Sequence, residues 1–388
     1  MESKVEKIKA FIRRDKGDKV IWVVALLLCI VSVCAVYSTG SKLGDPYHRE
    51  SLWFLFRNHA LFLLVGIGIM YVFSQFNFRL LGKFSRILLL IAVGLFVLTL
   101  VFGATKAGAK RSISIMGLEF QTIHAIEVLF IIFMAQWIAR VRNNINDWKR
   151  VYLPMLLTVA VMCVLIMRQK NSAGVILATS CIVMMFSSQL KGKYIAATIA
   201  VGGLSLGLLM AVLFATADKQ QNVKEFGRVG TALSRIFPDQ VHQETILTEA
   251  AIATGSFKPG NSVQKGSVDQ SYSDYIYAFI VEEYGLVVGT IVVLLYLTLF
   301  FRVYKISQYI QSSFGMYLAV GLGFLIVFQA LTHICVCNGL FPSTGETLPM
   351  ISRGGTSILI TSCCFAILLN LSIEAKKDKK KMKSTNND

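Results

Sequence analysis

Long apolar runs separated by short polar stretches dominate the sequence. Runs such as Ile21–Tyr37, Ile87–Phe102 and Ile291–Phe301 contain no charged residue. A helix needs about 20 apolar residues to cross a hydrocarbon core of about 30 Å. Continuous rather than alternating apolar residues favour helices over a β-barrel. The pattern therefore predicts an all-α polytopic membrane protein.

About ten transmembrane helices are predicted, so both termini are expected on the same side of the membrane. The first apolar run is predicted to be a retained helix rather than a signal peptide, because it is long enough to span and more hydrophobic segments follow. The predicted spans are 20–39, 56–74, 85–104, 121–140, 151–168, 173–189, 194–215, 274–301, 316–337 and 350–373.

Composition and charge agree with this class. Hydrophobic residues make up 55% of the chain and charged residues 16%, whereas a soluble protein carries about 25% charged residues. The net charge of +17 is not accompanied by an aromatic-basic module, so no nucleic-acid binding is expected. Lys and Arg concentrate in the segments on the side of the N-terminus, which predicts that both termini are cytoplasmic. The eight cysteines lack a metal-binding spacing and are predicted to be buried thiols.

The predicted spans divide the chain into three parts. Residues 1–19 form a cytoplasmic tail, residues 20–373 a ten-helix membrane domain, and residues 374–388 a basic cytoplasmic tail. The membrane domain contains one long extracytoplasmic loop, 216–273, between the seventh and eighth spans, in which 241–254 is predicted to form an amphipathic helix. Because long loops in compact domains usually have a function, chemistry is expected on the outer face.

Asp274 is the candidate general base. It stands beside Ser273 where the long loop meets the eighth span. Either residue could cap the helix N-terminus, where the helix dipole stabilises an anion. The alternative is a carboxylate at the boundary between water and membrane that accepts a proton from a hydroxyl group of a substrate.

Glu282 and Glu283 lie about 12 Å further along the same helix. Carboxylates at that depth are costly and usually face a cavity or a partner. They are candidate substrate contacts, and a structural ion pair is the alternative.

A second informative stretch, 338–357, enters the tenth span. It contains two prolines and four glycines, which predict irregular backbone at membrane depth. Such backbone persists there only where it is buried in protein or lines water. Arg353 would place a cation near the outer face, suited to a phosphate or a carboxylate.

Two motifs in these stretches carry a family resemblance. The first is Ser-Asp-Tyr-Ile-Tyr-Ala at 273–278 with Glu-Glu-Tyr-Gly at 282–285. The second is Gly-Leu-Phe-Pro at 339–342 with Leu-Pro-Met-Ile-Ser-Arg-Gly-Gly-Thr-Ser at 348–357. Together with the helix count and the long outer loop, they resemble the SEDS proteins (shape, elongation, division and sporulation), the group of FtsW and RodA. The run Pro-Gly-Asn-Ser-Val-Gln at 259–264 is more similar to FtsW than to RodA.

The resemblance implies a peptidoglycan glycosyltransferase of the cytoplasmic (inner) membrane that works in cell division. The implied substrate is lipid II, a disaccharide-pentapeptide on undecaprenyl pyrophosphate, polymerised on the outer face into undecaprenyl pyrophosphate-linked glycan. The implied partners are a class B penicillin-binding protein, which is a transpeptidase, and other membrane proteins of the division complex. Asp274 matches the family's essential aspartate, which implies a general-base or acceptor-orienting role.

A departing pyrophosphate needs positive charge nearby, and a divalent cation, Mg²⁺ or Mn²⁺, is a candidate cofactor. The candidate cations of the outer face are Arg57, Lys110, Arg111, Arg228, Lys265 and Arg353. The predicted substrate contacts are Arg57, Lys110, Arg111, Asn261, Ser262, Lys265, Glu282, Glu283, Ser352, Arg353, Gly354 and Ser357.

The chain departs from the family pattern at charged positions. His124 and Glu127 stand where the family usually has Glu and Lys. Because they are three residues apart on a helix, they are predicted to share a face and to pair with reversed charges. Lys-Asn-Ser-Ala at 170–173 replaces a Pro-Asp-x-Gly motif, and Arg353 replaces a Tyr before the glycine pair.

Two other functions fit the same pattern. A lipid II flippase or transporter also uses buried charges and broken helices, although no clear internal repeat is visible. A non-catalytic scaffold of the division complex is compatible with the departures at His124 and Glu127.

Overall fold

A computed structural model describes most of the chain. The described residues are 16–42, 49–106, 109–115, 118–145, 147–188, 192, 194, 196, 252–253, 274–341 and 345–385. The predicted seventh span, from residue 197 onward, lies outside them. So does the loop 216–273 with its predicted amphipathic helix, apart from Ile252 and Ala253.

Nine long helices form the described part of the bundle, and each predicted span in this part falls on one of them. A five-residue helix, Arg79–Lys83, and a π-helical turn, Trp148–Tyr152, lie between long helices. The long helices are α1 Lys19–Lys42, α2 Arg49–Phe73, α3 Ser85–Phe102, α4 Thr122–Val141, α5 Leu153–Met167, α6 Asn171–Phe186, α7 Ile276–Ser307, α8 Ser313–Cys337 and α9 Gly355–Thr385.

The helices have the dimensions of membrane spans. In the described residues, eight segments are long and apolar enough to cross a membrane, and α6 is a shorter apolar helix. The protein is therefore a helical, multi-pass membrane protein, as predicted. The side on which the termini lie stays a prediction.

Helix α8 lies at the centre of the bundle and contacts α4, α6, α7 and α9. A Cβ atom at Gly321 would lie 2.5 Å from Met184 Sδ and 2.9 Å from Ile131 Cγ2. Only a residue without a side chain allows this approach, which is how membrane helices pack closely. The core of the protein therefore forms around α8.

The last helix differs from its prediction at both ends. It begins at Gly355 rather than at residue 350, and it continues to Thr385 rather than ending at 373. Lys376 Nζ donates to the Gly17 carbonyl at 2.7 Å, and the Gln311 backbone N–H donates to Asp378 at 3.0 Å. These contacts hold the basic end of α9, which was predicted as a tail, against neighbouring segments.

A small antiparallel sheet joins α3 to α4 and was not predicted. Its strands are β1 Ala104–Lys106, β2 Ala109–Ile115 and β3 Leu118–Gln121, in the order β1-β2-β3. Ser112 in β2 pairs with Gln121 in β3. The sheet follows directly from the end of α3 and leads directly into α4, so it lies at the end of the bundle where α4 begins.

Candidate functional site

Asp274 lies in the turn immediately before α7, and its side chain is half-buried. The predicted role of Asp274 as the helix cap is wrong. The N-cap residue of α7 is Tyr275, whose side chain makes no capping hydrogen bond.

Gly345 forms one wall beside this carboxylate. A Cβ atom at Gly345 would lie 3.4 Å from Asp274 Oδ2, so the carboxylate packs against the Gly345 backbone. Gly345 has φ +62°, a left-handed conformation that glycine adopts without strain. The sequence thus places its smallest and most adaptable residue against the candidate base.

The C-terminal end of α8 forms the other side. Cys337 contacts the backbone N–H groups of Tyr277 and Ala278 in the first turn of α7. Both Cys337 and His333 lie close enough to Asp274 to interact electrostatically with its carboxylate. Asp274 therefore sits between the start of α7, the end of α8 and the backbone that follows α8.

That backbone, residues 345–354, is irregular and largely buried, as the prolines and glycines predicted. Its carbonyl groups are satisfied by side chains from three helices, so the segment is buried in protein as irregular membrane backbone requires. The donors and acceptors are His333 Nδ1 to Glu346 O at 2.7 Å, Gln329 Nε2 to Thr347 O at 3.3 Å, Tyr296 OH to Pro349 O at 2.5 Å and Ser32 Oγ to Ile351 O at 2.8 Å.

Two predicted substrate contacts in this segment hold its shape. The Ser352 hydroxyl accepts from the Leu348 N–H at 2.7 Å, and the Ser357 hydroxyl lies 3.1 Å from the Thr347 hydroxyl. Ser352 and Ser357 are buried, whereas Gly354 is half-buried. The two hydroxyls therefore fix the turn that leads into α9, and their predicted contact with substrate stays a prediction.

A buried ion pair supports the same segment. Lys170 Nζ lies 3.0 Å from Glu346 Oε2, and the two side chains are 8% and 1% exposed. The Ser172 hydroxyl donates to Glu346 Oε1 at 2.7 Å. Both carboxylate oxygens of Glu346 are thus engaged by the start of α6. Removing one partner of such a pair typically costs about 3–5 kcal/mol.

A second buried pair lies nearby, as the sequence predicted. His124 Nδ1 is 3.3 Å from Glu127 Oε2 within α4, and both residues are buried. Lys170 and Glu346 are close enough to act on the Glu127 charge. The four residues form one buried charge cluster at the Asp274 end of the bundle.

Two of the predicted cations, Arg57 and Arg353, have described side chains at this end. Arg57 is exposed and lies over the Phe54 ring at 5.3 Å. Arg353 is half-buried, and its charge acts on His59, whose Nε2 lies 2.7 Å from the Ser32 hydroxyl.

Other predicted contacts are only partly described. The backbones of Lys110 and Arg111 lie on β2, but their side chains are outside the described part. Outside the described residues altogether are Arg228, Asn261, Ser262 and Lys265.

Glu282 and Glu283 lie about two turns beyond Asp274 and just before a break in α7 at Gly285, which has φ +84°. Both are half-buried. The Ser38 hydroxyl of α1 donates to Glu283 Oε1 at 2.7 Å. Glu283 therefore links α7 to α1, and its predicted contact with substrate stays a prediction.

Sequence reasoning did not select Lys170, Glu346 or His333 as parts of the site. The usable signal was the charge itself, because ionisable residues beside or within apolar spans usually face the bundle interior and mark functional regions. Lys170 and Glu346 are far apart in sequence, so their pairing is visible only in three dimensions. In the described residues, no group of three or more His, Cys, Asp or Glu side chains could hold a metal ion.

Comparison with known proteins agrees with this architecture. The family model described as "Cell cycle protein", which covers FtsW, RodA and SpoVE, matches residues 18–377. A "Probable peptidoglycan glycosyltransferase FtsW" of Geobacter sulfurreducens is 26% identical over 372 residues, 93% of this chain and 96% of the relative. A protein of the same name from Hahella chejuensis is 29% identical over 90% of this chain and 89% of the relative. Stage V sporulation protein E of Bacillus subtilis is 25% identical over 93% of this chain and 98% of the relative.

Solved structures share the fold. One is a chain in a structure described as "Structural coordination of polymerization and crosslinking by a peptidoglycan synthase complex". It matches with a TM-score of 0.73 and 21% identity, over 92% of this chain and 98% of that chain. The rod shape determining protein RodA of Thermus thermophilus matches with a TM-score of 0.66 and 19% identity, over 92% of this chain and 97% of that chain. The chain belongs to the FtsW/RodA/SpoVE family.

Proposed function

We propose that this chain is a peptidoglycan glycosyltransferase that polymerises lipid II on the outer face of the cytoplasmic membrane during cell division. The observation that carries the proposal is the Asp274 carboxylate, half-buried at the start of α7 and packed against Gly345. Relatives that align along nearly the whole chain carry the name peptidoglycan glycosyltransferase FtsW, which supports the reaction class.

In the proposed reaction, Asp274 takes the proton from a hydroxyl group of the acceptor sugar. The hydroxyl oxygen then forms a bond to the anomeric carbon of the donor, and the bond from that carbon to the lipid pyrophosphate breaks. A positioned general base contributes about 10²–10⁴-fold to such a step. The proton leaves Asp274 to water after each addition, so the carboxylate is regenerated.

The leaving pyrophosphate carries negative charge that cations must stabilise. Among the predicted cations, Arg57 and Arg353 have described side chains at this end of the bundle, and Lys110, Arg111 and Lys265 are further candidates. Mg²⁺ or Mn²⁺ is a candidate cofactor.

The proposed partner is a class B penicillin-binding protein that crosslinks the new strand, together with other membrane proteins of the division complex. A structural neighbour comes from a synthase complex that coordinates polymerization and crosslinking, which supports a partner of this kind. The proposed ligands are lipid II and the undecaprenyl pyrophosphate-linked glycan.

The test uses purified protein, its transpeptidase partner and fluorescently labelled lipid II, with glycan length read on a gel. Long strands from the wild type and none from Asp274→Ala would support the polymerase. Glu374→Gln is the matched control, because Glu374 is a carboxylate at the opposite end of the bundle that pairs with Arg79, and it should make strands of normal length.

Two other results would overturn the proposal. Movement of lipid II across vesicle membranes without polymer would identify a flippase. Partner binding with neither activity would identify a scaffold.

A further inference from the structure

Glu346 connects the buried charge cluster to the candidate base. Its carboxylate binds Lys170 and Ser172, and its carbonyl accepts from His333 Nδ1. The residue before it, Gly345, packs against the Asp274 carboxylate. A displacement of Glu346 therefore moves the wall that touches Asp274.

Lys170 is a rigid attachment point for this connection. Its backbone N–H donates to the Ile166 carbonyl at 2.9 Å, and its own carbonyl accepts from the Gly174 N–H at 3.4 Å. The turn between α5 and α6 thus fixes the Lys170 backbone on both sides. The ammonium group reaches Glu346 from the turn between α5 and α6, which is distant in sequence from Asp274.

We propose that Lys170 is a positioning residue for Asp274, acting through its buried ion pair with Glu346. This inference rests on the proposed function. The pair is almost fully buried, so water cannot replace either partner. Without the ammonium, the Ser172 hydroxyl is the remaining hydrogen-bond donor to the Glu346 carboxylate among the described residues, and Gly345 can shift against Asp274.

The test is a double-mutant cycle of Lys170→Met and Glu346→Gln, with kcat and KM for lipid II measured in the presence of the partner. Since a displacement of about 1 Å can cost about 10²-fold, Lys170→Met should lower kcat by about 10–100-fold and change KM by less than about threefold. In the Glu346→Gln background, adding Lys170→Met should change kcat by less than about threefold, because coupled residues are not additive. Additive losses, or a wild-type kcat in Lys170→Met, would overturn the inference.

Arg302→Met is the matched control. Arg302 is the cation of an ion pair with Asp18 at the other end of α7, so this variant should lose thermal stability and keep its kcat. Should Lys170→Met fail to fold, Lys170→Arg keeps the charge but changes the geometry. It should fold and lose about tenfold in kcat, and an unchanged kcat in this variant would also count against the inference.

The rate of disulfide formation, which does not depend on catalysis, separates this inference from the proposed function. Asp274→Cys combined with Gly345→Cys brings two thiols close together, since a Gly345 Cβ would lie 4.0 Å from Asp274 Cγ, the position that a cysteine sulfur at residue 274 would take. Adding Lys170→Met should slow formation of this disulfide, mapped by mass spectrometry, at least about fivefold. An unchanged rate would overturn the positioning role even if the wild type makes no polymer, whereas absence of polymer alone would overturn only the proposed function.

Discussion

The two ends of the helical bundle use charged residues differently. At the end that holds Asp274, the pairs Lys170–Glu346 and His124–Glu127 are buried, and no side chain in them is more than 8% exposed. At the opposite end, the side chain of Arg302 is 34% exposed beside Asp18, and that of Arg79 is 65% exposed beside Glu374. Both partners of each pair are shielded from water at the Asp274 end, whereas at the opposite end the cations are partly exposed and the carboxylates of Asp18 and Glu374 are only 5% and 17% exposed.

The difference in burial of the ion pairs reflects the kind of backbone that the pairs support at each end. Near Asp274, the buried charges support irregular backbone whose position decides where the carboxylate lies. At the opposite end, ion pairs and hydrogen bonds connect regular helices to short segments such as Gly17–Asp18, where the Asp18 N–H donates to the Ser372 hydroxyl at 2.8 Å. Burying charge is costly, so the buried pairs lower the stability of the Asp274 end. The need to hold the irregular backbone beside Asp274 explains why they are there.

The largest effect should come from moving the candidate base without removing its charge. Asp274→Glu adds one methylene beside Gly345, where a Cβ atom would already lie 3.4 Å from Oδ2. Since misplacement by about 1 Å can cost about 10²-fold, the initial rate of glycan synthesis should fall about 100-fold with the melting temperature unchanged. A rate within about threefold of wild type would show that charge alone, not position, matters.

Two glycine substitutions sharpen the comparison between the ends. Gly345→Ala and Gly17→Ala both place a Cβ atom on a backbone with positive φ, +62° and +87°, which costs about 1–2 kcal/mol in each case. At Gly17 the new Cβ would also lie 2.8 Å from the Leu369 carbonyl oxygen, so this variant should be the less stable.

The two variants should rank in the opposite order for activity, with Gly345→Ala the less active. Gly345→Ala should lower kcat about tenfold because it shifts the wall beside Asp274, while folded Gly17→Ala should keep its kcat. Thermal melts and initial rates on the same preparations check both statements, and equal losses of kcat would contradict the difference between the ends.

The opposite end should respond to acid through Asp18. Burial raises the pKa of this carboxyl, but hydrogen bonding and charge from Arg302, with the N–H groups of Val20 and Ile21, hold the pKa below its ordinary value. A lowered pKa means that the unfolded state binds more protons, so the stabilisation is full above about pH 4. It is lost as the pH falls through the lower pKa of the folded state.

Melting temperatures measured from neutral to acidic pH test this. The advantage of wild type over Asp18→Asn should shrink below about pH 4, and an advantage that grows towards low pH would contradict the assignment. Arg302→Met should show the same loss of pH dependence.

The smallest effect is expected at the exposed pair of Arg79 and Glu374. Exposed ion pairs contribute about 0–1 kcal/mol, so Arg79→Ala should change the free energy of unfolding by no more than about 1 kcal/mol and leave kcat unchanged. A loss of several kcal/mol would show that this end depends on its charges as strongly as the Asp274 end.

The sequence predicted the helices well because their signal is local. An apolar run must be buried in lipid or protein wherever it lies, so α3 and α8 begin and end within three residues of their predictions. The start of α9 was misplaced because Met350 and Ile351 are apolar, although Ser352 to Ser357 separate them from the apolar run that begins at Ile358. The carbonyls of Pro349 and Ile351 bind Tyr296 and Ser32 instead of continuing a helix.

The site was only partly predictable because its contacts join distant parts of the chain. Asp274 and the His124–Glu127 pair carry local signals, a boundary position and a spacing of three residues. The partner of Lys170 depends on how α6 packs against the segment after α8, which no local pattern encodes. The sheet was missed although Ser112 to Ile115 alternate Ser and Ile, because the strands are short and lie between apolar helices.

The most direct test of the account is the initial rate of lipid II polymerisation by Asp274→Asn beside wild type, with the partner present and melting temperatures measured in parallel. Asparagine keeps the shape of the side chain and removes its ability to accept a proton. The account predicts a rate at least about 10²-fold lower at an unchanged melting temperature. A folded Asp274→Asn protein that polymerises lipid II at the wild-type rate would contradict it.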